Sequence, residues 1–107
     1  MRRWSMLSSL LLVAATSTAL AQPGPEREAE LRHLLVQDCG SCHGLTLAGG
    51  LGPPLRPADL AAKPAEVLVH TILEGRPGTA MPPWRPFVNP QEAAWLVDQL
   101  KRGEAIP

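Results

Sequence analysis

The sequence predicts an all-α protein of three to four short helices. Three observations predict it. Apolar residues recur at helical spacing, proline and glycine punctuate those stretches where helices begin and end, and no segment alternates apolar and polar residues as a half-buried strand would. The 107 residues hold one domain, and 12 prolines and 9 glycines leave little length for regular elements or a thick core. Such a chain is expected to complete its interior with something other than side chains. Ten Lys and Arg balance ten Asp and Glu; without a cationic cluster to release counterions, nucleic acid and polybasic contact with a membrane surface are excluded as partners.

The elements follow in order. Met1, Arg2 and Arg3 precede an apolar run from Met6 to Ala15, broken only by Ser8 and Ser9, and Ala19-Leu20-Ala21 sets small residues before Gln22. This reads as a secretory signal peptide over residues 1–21, leaving residues 22–107 as the domain. The run is short of the roughly 20 apolar residues of a spanning helix, so no membrane span is expected after its removal. No Cys follows it to support lipoprotein processing. Loss of Arg2 and Arg3 leaves the mature chain slightly acidic.

Pro25 and the acids Glu26 and Glu28 open the first helix, which is expected to run to about Asp38 with Leu31, Leu34 and Leu35 on its buried face. Residues 44–57, rich in Gly and Pro, form a loop whose backbone can pass close to a flat group. A short helical turn is expected within residues 57–63. Pro64 opens the next helix and Gly75 closes it. Asn89 caps the last helix, with Pro90 as its first residue and Glu92 near the capping-box position. Ala93, Leu96, Val97 and Leu100 form its buried stripe beside Trp95, Lys101 and Arg102 complement its negative end, and Gly103 stops it.

The two cysteines carry the chemistry. Cys39-Gly40-Ser41-Cys42-His43 is the Cys-x-x-Cys-His pattern of covalent haem attachment, in which each thiol adds across a haem vinyl group and the adjacent imidazole ligates iron. Export agrees with this, since such haem is attached outside the cytoplasm. A disulfide across so small a loop would add little stability, and a thioredoxin-like pair would want a βαβ context that is absent from the pattern. A zinc site would need four ligands in tetrahedral array, and sequential Cys42 and His43 point apart.

A haem iron held by His43 has a sixth position. Met81 is the one methionine beyond the signal segment, and it lies in a stiff stretch with Pro77, Pro82, Pro83 and Pro86, not on a helix face where a methionine fills core. Met81 is therefore the candidate axial ligand. His33 falls off the Leu31, Leu34, Leu35 stripe and is expected at the surface. His70, in a segment apolar nearly all round, is expected to be packed, with no iron role. Arg76 and Arg85 flank the Met81 loop, either reaching haem propionates or remaining solvated. Trp84 and Phe87 are open to ordinary packing against the porphyrin.

Taken together, Cys39 to His43, Gly52-Pro53-Pro54-Leu55, Met81-Pro82-Pro83 and a last helix with Trp95 resemble a small class I monohaem cytochrome c over nearly all of residues 22–107. The segments Asp38 to Gly44, Gly49 to Pro53 and Gly75 to Trp84 are similar to the NirC-type periplasmic cytochromes of nitrite reductase clusters. The resemblance implies helices wrapped around one haem c bound through Cys39 and Cys42, with His43 and Met81 as axial ligands and the Pro53 carbonyl accepting a hydrogen bond from His43. It also implies a periplasmic electron carrier in denitrification, with redox protein partners, among them nitrite reductase, and no catalytic residue. Maturation of the special haem of that reductase is a second role the resemblance implies. A peroxidase, reductase or sensor with an open sixth position is the alternative from another class. Leu31 and Leu35 occupy places where class I members often carry Gly and an aromatic, so a wider crossing with the last helix is expected.

Overall fold

The computed structural model describes Ala14 and residues 22–106. The signal-peptide reading of residues 1–21, with Met1 and Met6, lies outside the described residues apart from Ala14. Every regular element among the described residues is helical: α1 (Pro25–Leu34), α2 (Gly40–His43), α3 (Pro57–Leu60), α4 (Ala65–Glu74) and α5 (Pro90–Arg102), with a π-helical turn at Leu35–Cys39 joining α1 to α2.

α1 starts at Pro25, whose missing N–H costs nothing at a helix start, after an extended Gly24. The path continues to the attachment motif as expected but is not uniformly α. In the π turn the Gly40 N–H reaches back to the Leu35 carbonyl, and this wider turn re-aims the residues that follow. Gly44 ends α2 at φ +91°; a Cβ there would meet the Gly49 carbonyl oxygen at 2.7 Å. α3 is the short helical turn expected within residues 57–63; it ends at Leu60, and Arg56 and Asp59 close its first turn. α4 runs between Pro64 and Gly75, as the sequence predicts. α5 has the full reciprocal cap: Asn89 Oδ1 accepts from the Glu92 N–H at 2.8 Å, and the Glu92 carboxylate accepts from the Asn89 N–H at 2.9 Å.

α5 is the spine. Ala93, Trp95, Leu96, Val97 and Leu100 are buried on it, α4 packs along it, and Leu60 of α3 joins the same cluster. Leu31 of α1 and Leu35 of the π turn, both fully buried, complete it. Two arginines clasp α1 to α5. Arg27 pairs with Glu92 and donates to the Phe87 carbonyl at 2.8 Å. Arg32 donates to Gln99 Oε1 at 2.9 Å and to the Glu104 carbonyl at 2.8 Å, and lies 5.1 Å from the Trp95 ring centroid. Gln99, buried on a helix otherwise apolar at this face, is thereby satisfied.

Candidate haem site

Cys39 and Cys42 are free, half-buried thiols on the run from the π turn into α2. Burial, reinforced by neighbouring Asp38, pushes the Cys39 thiol up to about 11. In the unloaded chain it stays protonated at neutral pH, unlike the activated thiol of a redox pair. Ser41 Oγ donates to the Asp38 carbonyl at 2.7 Å, tying the turn between the two cysteines.

His43, half-buried, closes α2. Its Nδ1–H donates to the Pro53 carbonyl at 2.7 Å, leaving Nε2 as the nitrogen for a metal. The loop after it is folded back onto the motif. The Gly49 N–H donates to the His43 carbonyl and the Gly52 N–H to the Cys42 carbonyl, each at 2.8 Å. Gly52 lies flat against the imidazole; a Cβ would come 2.7 Å from both Nδ1 and Cε1. Gly50 has the same intimacy with the Cys42 carbonyl oxygen, 2.8 Å from where its Cβ would sit. Glycine at 50 and 52 is thus a steric requirement of a backbone wrapped around one ring.

Met81, half-buried, lies on a separate loop between α4 and α5. The loop is strapped to the end of α4 by the Trp84 N–H to the Ile72 carbonyl at 2.9 Å and the Arg85 N–H to the Leu73 carbonyl at 3.2 Å. Gly75, at φ +68°, turns the chain beneath it; a Cβ there would meet the Met81 oxygen at 2.7 Å.

The remaining residues sort as follows. His33 is exposed, as expected. His70 is exposed as well, so protein side chains do not bury it: α4 is apolar on more than one face, and its sequence did not reveal which face the rest of the chain covers. Arg85 is bound by Glu74, whereas Arg76 is exposed with no ion-pair partner among the described residues. Trp84 is half-buried, with its ring centroid 5.7 Å from that of the exposed Phe87. The clasp by Arg27 and Arg32 was invisible in the sequence, because each partner lies some 60 or more residues away along the chain.

Two thiols three residues apart, an imidazole held by backbone with its second nitrogen spared, and glycines that admit a flat ring system make a donor set that fits haem c. Such a set on an all-helical fold defines a c-type cytochrome. The chain belongs to that family: the family model described as cytochrome c oxidase, cbb3-type, subunit III, matches residues 26–99. It is similar to cytochrome c55X of Pseudomonas aeruginosa, 51% identical over 97% of this chain and 87% of that one. Cytochrome c55X of Paracoccus denitrificans is 52% identical over 90% of this chain and 94% of the relative. Among solved structures it resembles a c-type cytochrome NirC, with 59% identity and a TM-score of 0.77, covering 79% of this chain and 100% of that chain. It also resembles dihydro-heme d1 dehydrogenase NirN in complex with DHE, with 35% identity and a TM-score of 0.60, over 64% of this chain but 15% of that one. The chain is a NirC-like class I cytochrome c, an electron carrier and not an enzyme, with one covalent haem c and Cys39 and Cys42 in the attachment positions.

Proposed function

We propose that residues 1–21 export the chain to the periplasm, where residues 22–107 carry single electrons on a haem held by Cys39, Cys42, His43 and Met81, between redox partners of the nitrite reductase system. The bound haem supplies the one-electron couple. The observation that carries the reading is the 2.7 Å hydrogen bond from His43 Nδ1 to the Pro53 carbonyl, which fixes the ring and its tautomer so that Nε2 is the basic, metal-facing nitrogen. Met81 supplies a soft, uncharged thioether, which favours ferrous iron relative to a second imidazole and raises the potential. Two strong axial donors leave no place for substrate. The glycine loop and the apolar neighbours Leu55, Leu68, Ile72 and Trp84, half-buried against the core, exclude water from the ring.

A second reading, electron transfer during maturation of the special haem of nitrite reductase, is favoured by the 35% identity to dihydro-heme d1 dehydrogenase. Partner-specific electron-transfer assays separate the two. The test of the shared reading is the intact mass and absorption spectrum of the periplasmic product. A mass of residues 22–107 plus one haem, with ferrous protein slow to bind carbon monoxide, is expected; rapid carbon monoxide binding would favour an open sixth position and a haem enzyme or sensor.

A further inference from the structure

We propose that Thr79 is a positioning residue that sets how firmly Met81 is held, an inference that rests on Met81 being the sixth ligand. Its hydroxyl donates to the Arg76 carbonyl at 2.6 Å and accepts from the Met81 N–H at 3.3 Å. The Thr79 N–H also donates to the Arg76 carbonyl, at 3.1 Å, and the Arg76 N–H donates to the Met81 carbonyl, at 3.2 Å. Both backbone polar groups of Met81 are therefore engaged within its own turn, one of them by a side chain. Thr79 is the sole side chain hydrogen-bonded to Met81 backbone among the described residues.

Prolines stiffen both flanks of this turn, at Pro77 and at Pro82 and Pro83, and Gly75 admits the Met81 carbonyl where any Cβ would collide. Stiff flanks confine the remaining freedom to residues 78–81, where Gly78 sits at φ +79° with open space around it. In that short span the Thr79 hydroxyl is the restraint that opposes outward rotation of Met81. Losing it lets the thioether leave its place more often without unfolding the loop, whose straps to Ile72 and Leu73 are untouched.

The experiment is the rate of cyanide association with the ferric haem-loaded protein, for the parent, Thr79→Val, Thr79→Ser and Met81→Ala. Cyanide enters when the sixth position opens, so its rate reports ligand lability and not global stability. Thr79→Val keeps the shape and removes the hydroxyl; its rate is expected to rise about threefold to tenfold, the size of one hydrogen bond. Thr79→Ser keeps the hydroxyl and is expected to stay at the parent rate. A Thr79→Val rate within twofold of the parent, or a Thr79→Ser rate as fast as Thr79→Val, overturns the proposal. Thr79→Ala gives the same comparison should Thr79→Val not take up haem. Failure of the underlying ligand assignment looks different: Met81→Ala would then match the parent in rate, and the parent itself would lack the methionine-to-iron charge-transfer absorption.

Discussion

Gly52 and His43 show how much of this site is decided by single atoms. A methyl group at position 52 has its Cβ 2.7 Å from two atoms of the imidazole, so either the ring or the loop must move. Overpacking of this kind costs roughly 1–3 kcal/mol. Gly52→Ala is expected to lower the unfolding free energy of the haem protein by that amount, seen as a lower denaturant midpoint, and to lengthen the His43 to Pro53 bond in a structure of the variant. An unchanged midpoint would mean the loop has slack the distances deny. The motif Cys39 to His43 was legible because its residues are consecutive and its chemistry local. The Pro53 partner, ten residues on, was legible only through the family resemblance. Exposure of His70 was not legible, since a segment apolar nearly all round carries no periodicity from which to read a face.

At the scale of elements, what proved readable was again what is local. Asn89, Pro90 and Glu92 announce the start of α5 within four residues, and the structure has both cap hydrogen bonds. Asn89→Ala is expected to cost about 1 kcal/mol in thermal unfolding. Leu31→Ala at the fully buried α1 position should cost roughly 2–5 kcal/mol. The π turn and the arginine clasp were unreadable, because one reflects how α1 must lie to bury Leu31 and Leu35 and the other joins residues distant in sequence. The clasp also makes α1 docking sensitive to acid. The hydrogen bond from Arg27, then that from the Asn89 N–H, hold the Glu92 carboxyl below the ordinary carboxylate range against the opposing effect of burial. Because the folded value lies below the unfolded one, the stability it contributes is complete above about pH 4.3 and is lost as pH falls through the folded value. Glu92→Gln is expected to flatten the acid limb of a stability-against-pH curve below pH 4; an acid limb as steep as the parent's would assign the loss to other carboxylates.

For the whole molecule, the distribution of charge matters more than its balance. Residues 39–55 and 77–84, which hold the attachment motif and Met81, contain no Asp, Glu, Lys or Arg. Leu45 and Leu51 stand exposed on the first of these segments, at 65% and 91%. Charges elsewhere are largely spent on each other, as Arg56 with Asp59, Arg85 with Glu74 and Arg102 with Asp98. Electron self-exchange between oxidised and reduced copies should therefore change less than about twofold from low to high ionic strength, where steered encounters fall steeply; a steep fall would show that charges outside these segments direct docking. The account as a whole depends on sulfur above the iron and nitrogen below it. Proton NMR of the ferrous protein tests this most directly, because a methyl group seated over the porphyrin is carried far upfield by the ring current. The account predicts one three-proton resonance far upfield of the ordinary envelope, absent in Met81→Ala; a Met81 methyl at its ordinary position would contradict it.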